Sequence, residues 1–237
     1  MSEYRALEEN AQMKKAATQG HPVETRYNRY GKSITKLAEL AAKAPGERLV
    51  LHLVGVGERG GPQLSEAIGA FLKTGKKLEV HVIDWKQQLV DDAVTRARMA
   101  FPDAVVHTLE NPASDAPLVI VPHWVDIAAP EQLPARRADA VIATNVLQHI
   151  PQPHYEAGLY HLSSMTKDGG HILVEEIDLD TTDMWLEEFG LKEHGKPITE
   201  IRGPRRERGV ILKRAGYLKP FSEIWEKAKR LSPGARR

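Results

Sequence analysis

No cysteine occurs among the 237 residues. That sets aside disulfides, thiolate metal sites, a cysteine nucleophile and iron–sulfur clusters, and it fits a reducing compartment. No apolar run approaches the ~20 residues a membrane helix needs, and the polar N-terminus lacks a signal-peptide core. The expectation is a soluble cytoplasmic protein with no membrane partner. Internal repeats and low-complexity tracts are also missing. Net charge is nearly absent, at +1, but it is unevenly spread. Lys192 to Arg237 hold fourteen Lys and Arg against five Asp and Glu, which leaves the rest of the chain acidic. A basic end on an acidic body suits a polyanionic partner or a solvated terminal region.

What is present is enough for one sizeable α/β domain with trimmings, since 41% of residues are hydrophobic and 27% charged. Residues 1–44 are polar and helix-prone, with Ile34, Leu37, Leu40 and Ala41 on one helical face. Strands and helices then alternate. Leu49–Val54 is nearly all apolar, as a strand covered on both faces should be. A helix begins near Pro62 and sets Leu64, Ala67, Ile68, Phe71 and Leu72 on one stripe. Leu78–Asp84 is the second strand and Gln87–Ala100 its crossover helix. Val105–Leu109, Leu118–Val125, Ala138–Thr144 and His171–Ile177 read as further strands, with a helix over His154–Met165. A short helix is expected at Trp185–Phe189, a hairpin from Ile198–Arg202 and Gly209–Arg214, and a last amphipathic helix capped by Ser222. Such alternation predicts a parallel sheet with helices on both faces and right-handed crossovers. Ligands of such sheets sit beyond the carboxyl ends of the strands, where strand order reverses.

Gly55, Gly57 and Gly60 give the spacing GxGxxG between the first strand and its helix. Glycines there let the backbone pass close to a ligand, and the helix behind offers unpaired N–H groups. Asp84 closes the second strand, where a carboxylate can accept hydrogen bonds from both ribose hydroxyls. The bland alternative is a helix-capping aspartate. If LVIVPHWV is the third strand, Asp126 ends it, Asp126 is placed for an adenine amino group, and Ile127 offers an apolar surface to the ring. If VVHTLE is the third strand, Glu110 or Asn111 takes that place.

From Val125 the chain reads VDIAAPEQLPARRADAVIATNVLQHIP. Together with the glycine turn, Asp84 and GGHILVEE, this resembles the class I S-adenosylmethionine-dependent methyltransferases. The matching pieces are Asp126, Leu133-Pro134, Asp139 with Ala140–Ala143, and Val146-Leu147-Gln148-His149-Ile150. The resemblance spans about Leu49 to Arg214. It implies a Rossmann-like, doubly wound, mostly parallel seven-stranded sheet ending in an antiparallel hairpin strand. The cofactor it implies is S-adenosyl-L-methionine, held by Gly55, Gly57, Glu58, Gly60, Asp84, Trp85, Asp126, Ile127 and Asn145, with no metal. Relatives commonly place an acidic residue two before the first glycine. Here that position is Leu53, so Glu58 is the expected substitute. The segment Glu110–Pro117 is longer than a minimal member needs.

Methyl transfer from a sulfonium is an in-line displacement, to which a protein contributes mainly proximity and orientation. His149, after the fourth strand, is placed either to act as general base or to pin its loop. Tyr27, Tyr30, His149, His154, Glu175 and Glu176 are the residues expected to meet the acceptor. Glu175–Glu188 is acidic enough to attract a cationic substrate, or is a solvated loop. Residues 1–46 are expected to form a helical cap, 47–215 the cofactor-binding core, and 216–237 a basic C-terminal helix and tail. Without cysteine the covalent route to a pyrimidine carbon is closed, and TNVL replaces the NPPY or DPPY of base-amino methylators. The leading expectation is transfer to an oxygen or nitrogen of a small-molecule substrate. Alternatives are an RNA or acidic protein partner gripped by Arg202–Arg208 and the basic tail, a nicotinamide-dependent oxidoreductase, and a non-catalytic module. No Tyr-x-x-x-Lys pair supports the oxidoreductase.

Overall fold

The computed structural model describes residues 31–57, 60–107, 115–128, 133–144, 146–147, 150, 154–177, 186–202 and 205–231. Of two compact units, Met1–Tyr30 and Gly31–Arg237, only the second falls within that range. Helix α1 (Gly31–Ala41) leads into β1 (Arg48–Val54), α2 (Gly60–Leu72), β2 (Lys77–Asp84) and α3 (Gln87–Ala100). Next come β3 (Val105–Val106), β4 (Leu118–Trp124), β5 (Ala138–Thr144) and α4 (His154–Ser164). The chain ends with β6 (Thr166–Ile177), β7 (Leu191–Glu193), β8 (Ile198–Arg202), β9 (Arg205–Arg214) and α5 (Phe221–Leu231).

All strands join one sheet in the order β3-β4-β2-β1-β5-β6-β9-β7, with β8 also beside β9. From β3 to β6 every neighbour is parallel. β9 runs antiparallel to β6, and β7 and β8 pair with successive stretches of its other edge. The chain enters at β1, winds outward through β2 to β3 and β4, and returns to the other side of β1 with β5. Strand order therefore reverses between β1 and β5, and the crevice at their carboxyl ends is the expected ligand position.

Burial explains the strands. β1 and β2 are buried at every position after their first residue, as central parallel strands must be. On one face, Val50, Val54, Ile83, Val141, Ala143, Ile172 and Val174 pack with Leu159 and Leu162 of α4 and Ile224 of α5. Alternate residues face the other way, and there Ser33 of α1 comes close to Glu175 and Gly209. α1 contacts α2, and α2 contacts α3. At the amino end of β5, buried Asp139 accepts hydrogen bonds from the Val50 N–H (2.8 Å) and from Lys167 Nζ (2.8 Å), tying β5 to β1 away from the crevice.

Several details differ from the sequence expectation. Among the described residues the sheet has nine strands, where the resemblance implies seven: the strand expected over Val105–Leu109 is present as the short edge strand Val105–Val106, and Leu191–Glu193 adds one that residues 194–197 separate from β8. β6 starts at Thr166 rather than His171, running through the glycines with a register shift opposite Ala138–Ala140. Leu186–Gly190 forms turns instead of a helix, ending at Gly190 with φ +62°, and Trp185 lies outside the described residues. β9 begins at Arg205 rather than Gly209, and Arg202 of β8 is in register with Arg205. α5 starts at Phe221, where the Pro220 carbonyl accepts from the Glu223 and Ile224 N–H groups, and Ser222 lies inside the first turn. Ala38 rather than Leu40 completes the buried face of α1.

Candidate functional site at the carboxyl ends of β1, β2 and β5

Where β1 ends, the chain must turn sharply to start α2. Gly55 takes φ +73° and Gly57 φ +55°, a backbone region that costs side-chain-bearing residues energy. The Gly55 N–H donates to the Ile83 carbonyl (2.8 Å), fixing the bend to the end of β2. A Cβ on Gly55 would lie 2.2 Å from Cγ2 of Val146, so the bend passes directly against the segment after β5. Among the described residues, no atom beyond the chain neighbours lies within 4 Å of a Cβ built on Gly57, which leaves open space beside the bend. Gly55→Ala is accordingly expected to cost about 2–4 kcal/mol, from strain plus overpacking, measured as a shift in the urea midpoint. Gly57→Ala is expected to cost less, through strain alone.

Asp84 closes β2 and is buried, 5% exposed. Its Oδ2 accepts from the Gly57 N–H (3.2 Å) and its Oδ1 from the Lys86 N–H (3.0 Å). Burial pushes this carboxyl above its usual range, while those N–H groups and the Lys86 charge pull the other way. A carboxylate has about four lone-pair positions, so acceptor capacity remains beside the bend. Trp85 follows, half-buried, with Lys86 Nζ 4.5 Å from its ring centroid.

The third-strand ambiguity resolves in favour of LVIVPHW. β4 lies beside β2, with Trp124 opposite Asp84, and the Val125 N–H donates to the Asp84 carbonyl (2.9 Å). β3 lies one strand further out, and Glu110 and Asn111 fall outside the described residues. Asp126 stands two residues past the end of β4, its Oδ1 accepting from the Ala128 N–H (3.0 Å). Ile127 is 7% exposed and packs in the core with Val54, Ile83, Val125 and Leu147, so its side chain leaves little surface for a ring. Its carbonyl accepts from His161 Nδ1 (2.6 Å).

At the end of β5, buried Thr144 accepts a hydrogen bond from Gln63 in the first turn of α2. Glu175, buried at the carboxyl half of β6, is in register with Thr144 and with Gly209. His154 opens α4, is exposed, and lies 5.2 Å from the Trp225 ring, toward α5. Tyr27, Tyr30, Glu58, Asn145 and His149 lie outside the described residues, as does the side chain of Glu176. Leu53 is 1% exposed in the core. Gln63 and Thr144 have no role in the sequence reading, where His161, on one helix with His154 and Tyr155, is either a pocket residue or an exposed one; it is buried, 1% exposed. A residue pattern confined to one element does not show a pair formed across two.

A second polar cluster is built into the sheet. His52 of β1 lies opposite His81 of β2, their ring centroids 4.7 Å apart. His81 Nδ1 meets His123 Nε2 at 2.8 Å and His81 Nε2 meets Glu79 Oε1 at 2.8 Å, while Arg136 Nη1 lies 2.7 Å from Glu79 Oε2. Burial works against the Glu79 charge, but the His81 N–H and the Arg136 guanidinium outweigh it and hold the carboxyl below its usual range. Burial, reinforced by His81 and His123, keeps the His52 imidazole well below its ordinary value. His123 is lowered to about 4, chiefly by burial. Among the described residues no group of three or more His, Asp or Glu is arranged to hold a metal ion, and no helix is long and apolar enough to cross a membrane.

A family described as a methyltransferase domain matches residues 62–217. Among solved structures, the chain is similar to magnesium protoporphyrin IX methyltransferase (ChlM) from Synechocystis PCC 6803 with bound S-adenosylmethionine. That likeness has 14% identity and a TM-score of 0.60, covering 91% of this chain and 98% of that one. It is also similar to the N-methyltransferase NodS from Bradyrhizobium japonicum WM9, with 14% identity and a TM-score of 0.54 over 81% of this chain and 98% of that one. The [4+2]-cyclase SpnF shares the fold at 13% identity and a TM-score of 0.53, covering 79% of this chain and 82% of that one, so this architecture supports more than one chemistry. No curated protein matches the chain in sequence.

Proposed function

The chain belongs to the methyltransferase domain family, and we propose that it is a class I enzyme that uses S-adenosylmethionine to methylate an oxygen or nitrogen of a small molecule in the cytoplasm. The observation that carries this reading is the Asp84 carboxylate turned onto the glycine bend, at the point where strand order reverses. A cofactor of this kind needs a backbone it can approach and a carboxylate for its ribose. The open space at Gly57 and the buried Asp84 beside it fit both needs.

In this proposal Gly55, Gly57 and Gly60 line the cofactor's path, Asp84 accepts from the ribose hydroxyls, and Trp85 and Asp126 flank the adenine. Asn145, Glu58 and the Gln63–Thr144 pair serve the amino-acid end, where Leu53 offers no charge. When bound, the cofactor supplies a methyl group on a sulfonium, whose departure needs no acid. The protein's task is alignment and exclusion of water, and orientation of this kind is worth about 7–11 kcal/mol in favourable cases. His149 is proposed to take up the acceptor's proton, and Glu175 and Glu176 to bound the acceptor side. Residues 1–46 are proposed to cap that side, with α1 already lying on the sheet near Glu175. Residues 47–215 form the core and 216–237 the basic extension.

One observation favours the alternative of an RNA or acidic protein acceptor. The β8–β9 hairpin brings Arg202, Arg205, Arg206 and Arg208 together at the carboxyl end of β6. Affinity for a polyanion that falls steeply with salt would support that version. Calorimetry with S-adenosylmethionine, S-adenosylhomocysteine and NAD tests the main reading. Binding of the first two alone supports it, and binding of NAD alone overturns it. A mass screen with labelled methyl donor then identifies the acceptor.

A further inference from the structure

After β4, the described residues Val125–Ala128 carry Asp126 and belong to no helix or strand. Something must hold it. The Val125 N–H donates to the Asp84 carbonyl at the end of β2, and the Ala128 N–H to the Asp126 side chain, a local tie. A tie from the opposite direction along the chain is His161 of α4, whose Nδ1 donates to the Ile127 carbonyl at 2.6 Å from 34 positions away. His161 is 1% exposed. A carbonyl only accepts, so Nδ1 carries the proton and the imidazole is used as a fixed donor rather than as a titrating base.

The ring is itself clamped. Phe221 of α5 stacks on it, with centroids 5.2 Å apart at 28°, and Tyr160 meets it edge-on at 5.5 Å. Phe221 in turn stacks on Trp225, 5.9 Å away, and Trp225 lies against His154. α5 therefore fixes the rotamer of His161, and His161 fixes the carbonyl next to Asp126. Phe221 and Trp225 lie beyond the residues that match the family, 62–217.

We propose that His161 is a positioning residue for the nucleobase end of the cofactor, holding the Val125–Ala128 segment in its binding shape, and that the C-terminal helix acts on cofactor affinity through Phe221 and His161. This rests on the function proposed above, because it assumes that the segment flanks the adenine. A preorganised segment lowers the ordering cost at binding; losing the tie restores that cost without altering any group that touches the ligand.

The test compares His161→Phe, which keeps a ring against Phe221 but has no donor, with His161→Asn, which returns an N–H near the Nδ1 position. Calorimetry with S-adenosylhomocysteine and with adenosine, alongside melting curves, is the readout. The expected result is about tenfold weaker binding of both ligands to the phenylalanine variant, and affinity within about threefold of wild type for the asparagine variant. Equal affinity of His161→Phe and wild type overturns the inference alone. Absence of binding to the wild type overturns the functional reading with it. Should the phenylalanine variant fail to fold, hydrogen exchange on the wild type decides: the Ala128 amide is expected to be protected before any ligand is added, and free exchange there contradicts the proposal. Phe221→Leu, which spares the hydrogen bond, is expected to weaken binding about threefold, and no change removes α5 from the account.

Discussion

Asp84→Ala is expected to weaken binding of S-adenosylhomocysteine by about a hundredfold or more while leaving the melting temperature within a few degrees of wild type. Hydrogen bonds to a charged acceptor are worth about 1.5–3 kcal/mol each, and the proposed ribose contact has two of them. A loss of about 3 kcal/mol already corresponds to more than a hundredfold. The stability side of the expectation comes from the carboxylate's surroundings. Burial opposes its charge, so removing it relieves a desolvation cost that offsets the lost contacts to the Gly57 and Lys86 N–H groups. Asp84→Asn keeps an acceptor for one of these N–H groups, and is expected to fall between wild type and alanine. If instead the alanine variant melts much lower and binds normally when folded, Asp84 is a brace for the bend and the functional assignment loses its main support.

The second large effect is acid lability. His52 and His123 are held in the neutral form inside the sheet, the latter with a pKa of about 4, and His171 on β6 is also lowered to about 4, chiefly by burial. The unfolded chain takes up these protons near pH 6.5, whereas the folded chain resists until about pH 4. Depressed histidines therefore contribute stability that is full above pH 6.5 and lost as pH falls toward 4. The slope is about 1.4 kcal/mol per pH unit for each proton bound only by the unfolded chain. Urea midpoints are expected to drop steadily from pH 7 to pH 5. Glu79 adds to this only lower, because its carboxyl is held below its usual range and its contribution disappears as pH passes through that depressed value. His52→Leu is the diagnostic variant. Among the described residues neither His52 nitrogen has a partner at full hydrogen-bond geometry, and the residue is 0% exposed, so leucine is expected to flatten the profile and to be more stable than wild type at pH 5. A wild-type profile flat from pH 7.5 to 5 would show that the cluster accepts protons freely.

The parts legible in the sequence are those whose cause is local. The apolar run Leu49–Val54, the glycine spacing and an aspartate at the end of LEVHVID were enough to anticipate the sheet, its switch point and the meeting of Asp84 with the bend. The third strand stayed ambiguous because two β-like runs follow α3, and only the register places one beside β2. What was not legible depends on partners far along the chain. His161 reads from its helix as a surface residue, and it is buried because α5 returns to cover it, about sixty positions later. His52 and His81 interrupt apolar strands visibly, yet their pairing requires the register between β1 and β2. Ile127 reads as an apolar surface for a ring, and its side chain packs in the core with Val54, Ile83, Val125 and Leu147, partners that lie on other elements.

The most direct test of the central claim is a crystal structure with S-adenosylhomocysteine bound. The account predicts both ribose hydroxyls within ordinary hydrogen-bond distance, about 2.5–3.0 Å, of the Asp84 carboxylate, with the thioether chain running over Gly55 and Gly57. A ribose elsewhere in the crevice, or a ligand that leaves Asp84 bonded only to the Gly57 and Lys86 N–H groups, would contradict it.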